Sequence, residues 1–265
     1  EKKLSISYWS KEQMFCPVCR KNFDREIMRS GNGRMIAGPL TPELHRQFEP
    51  SAKFGKIYPL IYEIGCCPHC YSAFFWNDFT EEKCQTIFPH FNLKKERTLF
   101  DGAAMYYLAL MTYDLCPPDF LPTLKKGILS LRLAWLCNDI NLQCNGHNYD
   151  VVSQIFYRKA LFFYQQAVVN ETNRTEKSST LANMGPDMDK NYGWDGVIYL
   201  CGLLEYKYGQ QEDIQLRLKK LNESKVAIAR IFGLGKSSKS KPGPLLEHAR
   251  ELYDKISKLV ADDEF

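Results

Sequence analysis

Two short cysteine motifs constrain this chain more than any other feature of its sequence. They are Cys16-Pro17-Val18-Cys19 and Cys67-Pro68-His69-Cys70. A structural zinc ion takes four tetrahedral ligands, and a Cys-x-x-Cys turn directs two sulfurs toward one ion. We therefore predict one structural Zn²⁺ per chain, bound by Cys16, Cys19, Cys67 and Cys70. The 47 residues between the two motifs can form a small folded unit that the ion holds together.

Two neighbours of the second motif need separate interpretations. Cys66 alternates with Cys67 on a predicted strand, so its side chain points the opposite way and is expected to be a core thiol. His69 lies inside the turn, and its ring is expected to point outward if Cys67 and Cys70 bind the ion.

Cys-Pro-His-Cys also resembles the redox centre of disulfide oxidoreductases of the thioredoxin class. In that alternative Cys67 would be the nucleophile with a low pKa and Cys70 the resolving thiol. That fold requires a parallel βαβ framework, whereas only helices are predicted after Cys70. The alternative would also leave the first cysteine pair without a role.

The composition excludes few functions. The 265 residues are 45 % hydrophobic and 25 % charged, with a net charge of +4, as in ordinary soluble proteins. No run of about 18 apolar residues predicts a membrane span. Unpaired thiols outside the two motifs suit a reducing compartment, so we expect a cytoplasmic protein. The chain begins at Glu1, and an anchor or signal segment ahead of it stays open.

Residues 1–97 are predicted to form a small α+β head. We expect a strand over Phe23–Met28, a turn at 30–33 that leads back into 34–36, and a strand over Leu60–Cys66. Thr41 followed by Pro42 predicts a short helix to about Phe48. A second short helix is predicted from Thr80 to Pro89.

Residues 98–265 are predicted to be helical, which makes the protein mainly α. Six helices are expected near 98–115, 120–144, 149–170, 193–208, 211–232 and 245–261. The polar stretch 172–190 predicts a mobile loop, and 233–244 predicts a flexible linker.

Two helix pairs resemble tetratricopeptide hairpins, whose helices cross at small residues. Gly202 takes the crossing position of one pair and Gly209 its turn. In the other pair, small and aromatic residues of one helix face three residues of the preceding helix; they are Ala160, Tyr164 and Ala167, opposite Leu131, Ala134 and Trp135.

Tyr199, Tyr206 and Lys207 fall where such repeats face a peptide-binding groove, so they are candidate partner-binding residues. Alternatively, the two tyrosines pack against the next helix. A further alternative makes the head a zinc-ribbon nucleic-acid binder that uses Arg25 and Arg29, although acidic residues interleave with these cations.

Several of these motifs together are similar to an uncharacterised bacterial family, domain of unknown function 2225. The resemblance rests on the two cysteine motifs, Phe23, the segment Pro59–Ile64 and Asp78-Phe79, and it continues through Leu133–Leu136 and Tyr157–Tyr164. It implies a zinc-ribbon-like head with a tetratricopeptide-like tail and no established activity.

The chain departs from this family pattern at one feature of both motifs. A glycine usually follows the second cysteine of a pair, but here Arg20 and Tyr71 stand there. Taken together, the sequence predicts a non-enzymatic, zinc-stabilised adaptor that binds protein partners through its helices.

Overall fold

The computed structural model describes residues 5–80, 98–144, 146–233 and 242–262. Its architecture is mainly α with a small β region at the N-terminus, which confirms the predicted fold class. The strands of the described part are β1 (Ser7–Trp9), β2 (Met14–Phe15), β3 (Asn22–Phe23), β4 (Glu26–Met28), β5 (Ile36–Leu40), β6 (Arg46–Glu49), β7 (Ile64–Cys66) and β8 (Ala73–Phe75). The helices are α1 (Leu99–Tyr113), α2 (Pro122–Gln143), α3 (Tyr149–Asn173), α4 (Gly193–Tyr208), α5 (Ile214–Phe232) and α6 (Gly243–Asp262).

The strands form four antiparallel pairs, β1–β4, β2–β3, β5–β6 and β7–β8. The predicted single strand Phe23–Met28 is therefore wrong, because it divides into β3 and β4, which pair with different partners. The turn at 30–33 is present, with Gly31 and Gly33 at positive φ. It does not return β4 onto 34–36, since β4 already pairs with β1.

The short helix predicted from Thr41 to Phe48 is also wrong. Thr41 instead closes a tight turn between β5 and β6, in which the Leu44 amide donates to the Thr41 carbonyl at 2.9 Å. Leu44 has a φ of 62° and a fully buried side chain. A left-handed residue cannot continue a right-handed helix, so the chain leaves the turn as a strand.

The predicted strand Leu60–Cys66 is correct only in its second half. Residues Pro59–Tyr62 form a buried 3₁₀ turn, and β7 covers Ile64–Cys66. Proline fixes φ and donates no amide hydrogen, which favours a helical start over a ladder position. The helix predicted from Thr80 to Pro89 falls mostly outside the described residues.

All six predicted helices are confirmed, with starts that their sequences explain. Thr98 and Asp101 form a reciprocal capping box at the start of α1. The Asp213 side chain accepts from the Leu216 amide at the start of α5. The linker predicted at 233–244 lies largely outside the described residues.

Consecutive helices pack against each other along the chain. A methyl group added at Gly202 would lie 2.5 Å from Ile228 Cδ1, so α4 and α5 cross closely at this glycine, as predicted. Gly127 of α2 similarly faces the buried Tyr164 ring of α3. The assignment of these pairs as tetratricopeptide repeats stays a prediction.

The head and the helices share one continuous cluster of buried side chains. Gly102 of α1 packs directly on Ile61, and the Tyr106 hydroxyl donates to the Leu60 carbonyl at 3.0 Å. These contacts fix the 3₁₀ turn, and hence β7, against α1. The division into domains at 97/98 stays a prediction.

The loop between α3 and α4 contributes buried carboxylates to this assembly. Glu176 accepts hydrogen bonds from the amide and hydroxyl of Thr123 in the first turn of α2. Asp187 accepts from the His45 ring at 2.8 Å and from the Arg46 amide. The predicted mobility of residues 172–190 stays a prediction, but their contacts join both the head and α2.

Among the described helices, none combines the length and the apolar character that a membrane-spanning segment requires.

Candidate metal centre and binding surface

Each cysteine pair lies in the turn of a two-stranded hairpin. Cys16 and Cys19 lie between β2 and β3, and Cys67 and Cys70 lie between β7 and β8. Antiparallel strands bring both ends of such a turn together, so the local fold aims two sulfurs in one direction. The two hairpins then meet with their sulfur atoms facing each other.

The backbones of the two turns are equivalent. The Cys16 amide donates to the Lys21 carbonyl at 3.0 Å, and the Cys67 amide donates to the Ser72 carbonyl at 3.0 Å. The Cys16 and Cys67 carbonyls each accept from the amide four residues later, at 2.8 Å and 2.9 Å. The same loop geometry thus occurs twice, from two unrelated stretches of sequence.

Both turns close through a left-handed residue that is not glycine. Arg20 has a φ of 60° and Tyr71 a φ of 62°. Each costs about 1–2 kcal/mol in this conformation, which is why glycine is the usual occupant. The departure from the family pattern therefore leaves the turn geometry intact but adds backbone strain.

The sulfur atoms are placed as a tetrahedral ion requires. Cys16 Sγ lies 3.6 Å from Cys70 Sγ, and Cys19 Sγ lies 3.6 Å from Cys67 Sγ. All four sulfurs lie within 4.8 Å of one another. Zinc–sulfur bonds of about 2.3 Å in a tetrahedron place the sulfurs about 3.8 Å apart, whereas a disulfide needs about 2.05 Å. The arrangement fits a four-coordinate metal and excludes disulfides between these cysteines.

The surroundings also suit thiolate ligands. Cys16 and Cys67 are fully buried and Cys70 is 3 % exposed. The His69 amide approaches Cys67 Sγ at 3.5 Å, and the Ser72 hydroxyl lies 3.2 Å from Cys70 Sγ. Donors of this kind offset the negative charge of thiolates in a buried site.

Proton sharing among the sulfurs shifts their pKa values in opposite directions. Hydrogen bonding with Cys16 and then Cys70, together with burial, raises the pKa of Cys67. Hydrogen bonding with Cys16 and then Cys67 lowers the pKa of Cys70. A divalent ion that binds here must displace the shared protons, so its affinity must rise with pH.

The two neighbouring residues are placed as predicted. Cys66 is 3 % exposed, and its sulfur lies near the Tyr71 carbonyl rather than with the other four. The His69 ring lies at the surface with Nε2 3.2 Å from the Asn22 carbonyl oxygen. Within the described residues, the four cysteines alone form a group that could hold a metal.

The structure places the candidate partner-binding residues against other parts of the same chain. Tyr199 is 1 % exposed, and its hydroxyl donates to the Pro42 carbonyl at 2.9 Å. Lys207 forms an ion pair with Glu43, and Tyr206 is half-buried against the core. Tyr199 also stacks on the His248 ring of α6, with the ring centres 6.4 Å apart. A role of these residues in partner binding stays a prediction.

Sequence reasoning missed an apolar surface on α3. Val151, Ile155, Phe162 and Val169 are 52 %, 49 %, 60 % and 47 % exposed. Steps of four and seven residues align them on one side of the helix, opposite the buried face that contains Ala160. We call these four residues the α3 stripe. The spacing is present in the sequence. The buried face of the same helix also has apolar residues at helical spacing, so the second apolar side was not recognised.

Comparison with known proteins places the chain in a group without an assigned activity. It is 40 % identical over 270 residues to an uncharacterized protein of Borreliella burgdorferi, with 96 % of this chain and 97 % of that protein aligned. No solved structure matches the chain. Residues 9–256 match the family described as an uncharacterized protein conserved in bacteria. The chain therefore belongs to the bacterial family named domain of unknown function 2225.

Proposed function

We propose that this protein is a non-enzymatic adaptor of the bacterial cytoplasm. A structural zinc ion stabilises its head, and its helices present a surface to another protein. The α3 stripe is the observation that carries the proposal, because a helix of a folded chain rarely exposes four aligned apolar residues without a partner.

Zinc is the metal that the donor set favours. Four thiolates in a tetrahedron are typical of structural zinc sites, which have no open position for substrate. The ion would join the β2–β3 hairpin to the β7–β8 hairpin, two units too small to fold alone. Metal binding would then contribute directly to the folding free energy of the head.

The shape and charge of the α3 stripe favour a helical partner segment. Its steps of four and seven residues match the apolar seam by which two helices pack. Arg158 lies exposed within the stripe, between Ile155 and Phe162, and Lys159 lies exposed beside it. The best-matched partner is therefore an amphipathic helix with apolar residues at similar spacing and acidic residues along their edge.

Photo-crosslinking in a bacterium that expresses the protein tests this role. A photoreactive phenylalanine analogue replaces Phe162, and a matched chain carries it at Lys219, an exposed position on α5. We expect one discrete heteromeric adduct from position 162, reduced when Ile155→Asp is added. The proposal would be refuted if position 162 gave no adduct, or if position 219 gave the same adduct. An adduct between two copies of this chain would identify self-association instead.

The oxidoreductase alternative predicts reactivity at Cys67 and Cys70. The burial of both sulfurs supports a structural role instead, because thiol exchange requires access to the attacked atom. An insulin-reduction assay on the purified, reduced protein separates the two. We expect no turnover above a Cys67→Ser control.

Exposed aromatic residues on the head favour nucleic-acid binding as a second candidate. Tyr8, Trp9 and Phe15 are 41 %, 43 % and 48 % exposed, and the Arg29 guanidinium lies 4.7 Å from the Tyr8 ring. Such rings can stack on unpaired bases beside a cation. Salt-sensitive binding of single-stranded DNA or RNA that Arg29→Gln weakens would establish this candidate.

A further inference from the structure

A cavity of about 280 Å³ with a mixed polar and apolar lining lies where the head, α2 and the loop after α3 meet. The head contributes Arg25, Glu63 and Trp76, and α2 contributes Lys125 and Arg132. The loop segment 181–185 forms another wall. The cavity is therefore assembled from parts of the chain that are far apart in sequence.

Two guanidinium groups at this cavity have no carboxylate partner among the described residues. Arg132 is 2 % exposed, yet it donates to the neutral oxygens of Pro186, at 2.8 Å, and Tyr106, at 3.4 Å. Burial lowers the pKa of Arg132, but the charges of Glu63 and Asp187 attract its guanidinium and raise the pKa. Within the described chain, however, neither carboxylate forms an ion pair with it. Buried charges in proteins are normally paired, so Arg132 retains the capacity to bind an anion.

Arg25 can also bind an anion at this cavity. Its Nε is buried and has no hydrogen-bond acceptor among the described residues. Its guanidinium lies 4.4 Å from the centre of the Trp76 ring, and that of Arg132 lies 5.4 Å from the centre of the Phe75 ring. Adjacent aromatic rings thus orient both cations before any ligand arrives.

The other charged residues that line the cavity neutralise these two cations only in part. Lys125 Nζ lies 2.8 Å from Asp78, which also accepts from the Tyr113 hydroxyl. The nearby acid Asp78 is thus already engaged. Among the described residues that line the cavity, the cations Arg25, Lys125 and Arg132 exceed the carboxylates Glu63 and Asp78 by one charge. Asp187 does not line the cavity and is paired with His45.

We propose that this cavity binds a small organic oxyanion, a phosphate monoester or a carboxylate with a flat apolar body. The two guanidinium groups recognise the oxyanion, since their paired N–H donors match its geometry. Phe75, Trp76 and Ile128 contact the apolar body. The volume is near the lower end for ligand pockets, which limits the ligand to about the size of a single substituted ring. Occupancy requires no partner protein and is independent of the adaptor role.

Isothermal titration of the full, zinc-loaded chain with phenyl phosphate and with benzoate tests the proposal. We expect saturable binding of at least one probe at one site per chain, and the tighter probe identifies the oxyanion as phosphate or carboxylate. Arg25→Gln should weaken binding at least about 10-fold, equivalent to about 1.4 kcal/mol. Lys11→Gln is the matched control, because it removes one positive charge from an exposed position of the head that does not line the cavity.

Arg25 is used because Arg132→Gln could disturb folding by removing contacts to the loop and α1. Absence of saturable binding by both probes would overturn the proposal. Equal affinity in Arg25→Gln and the unchanged protein, or equal weakening by Lys11→Gln, would also overturn it.

Discussion

Replacing Arg20 or Tyr71 by glycine makes one backbone change at equivalent positions of the two cysteine-containing turns. Both residues have φ near 60°. Glycine removes about 1–2 kcal/mol of left-handed strain, offset by about 0.5–1 kcal/mol for its greater freedom in the unfolded chain. The backbone change alone therefore stabilises either turn by about 0.5–1 kcal/mol.

The side chains make the net effects opposite in sign. Arg20 is exposed, whereas Tyr71 is 4 % exposed and belongs to the core of the head. Truncating a buried aromatic residue costs about 3–5 kcal/mol. We expect Arg20→Gly to raise the free energy of unfolding by about 0.5–1 kcal/mol, and Tyr71→Gly to lower it by about 2–4 kcal/mol.

Urea unfolding in excess zinc, followed by circular dichroism, measures both effects. Arg20→Ala is the control, because it removes the same side chain but keeps a left-handed residue with a Cβ atom. An Arg20→Gly protein no more stable than Arg20→Ala would refute the argument from backbone strain. A Tyr71→Gly protein as stable as the unchanged chain would refute the argument from burial.

Three further changes test the contacts that join the head, helices α1 and α2, and the loop between α3 and α4. Gly102→Ala places a methyl group 2.5 Å from Ile61 Cγ2 and should lower the free energy of unfolding by about 1–3 kcal/mol, measured by urea unfolding. Glu176→Gln weakens the charged hydrogen bonds to Thr123 at the start of α2 and should lower it by about 1–3 kcal/mol in the same assay. Asp187→Asn should destabilise the protein at neutral pH, with the difference from the unchanged chain shrinking as pH falls below about 4.

The sign of the pH effect follows from the environment of Asp187. Burial raises its pKa, but hydrogen bonding and charge attraction from His45 outweigh burial and hold the pKa below its ordinary value. A depressed pKa stabilises the folded state above the unfolded pKa of about 4, and this contribution is lost as pH falls through the folded value. If the difference in the free energy of unfolding between Asp187→Asn and the unchanged chain stayed constant from about pH 6 to about pH 3, the lowered pKa of Asp187 would be contradicted.

Matched substitutions separate these effects from general sensitivity to mutation. Gly243→Ala should be tolerated, because a methyl group there meets no atom within 4 Å. Asp189→Asn removes an exposed ion pair with Arg46 and should change stability by less than about 1 kcal/mol. If a control variant lost as much stability as the variant it is matched to, the contact proposed for that variant would not be the cause of its loss of stability.

The helices were predictable because their signals are local. Apolar periodicity and end signals such as Thr98 and Asp213 act within a few residues, so one sequence suffices. The cluster of four cysteines was predictable for a similar reason, since each hairpin turn carries its own pair. Gly202 was assigned correctly because close helix crossing leaves room only for a small residue.

The errors occur where distant contacts decide the local structure. The Thr41-Pro42 signal favours a helix, but the burial of Leu44 in a left-handed conformation and the β5–β6 pairing override it. Strands of two to five residues are too short to show a period of their own. One of the four pairs, β1–β4, also joins strands that are not consecutive in the sequence.

The cavity at the junction could not be predicted because no motif contains it. Arg25, Trp76 and Arg132 are separated by more than a hundred residues in total and converge only after the head docks on α2. The intramolecular contacts of Tyr199 and Lys207 with the head arise from the same docking. Sequence spacing describes faces of single helices, not which other element covers them.

Native mass spectrometry of the purified, reduced protein, never exposed to a chelator, tests the central claim most directly. The account predicts one zinc ion per folded chain, and loss of both the metal and the folded charge-state distribution in Cys16→Ser. Val18→Ser is the control, because it changes the same turn without removing a ligand. A folded, fully reduced chain that carries no zinc would contradict the account.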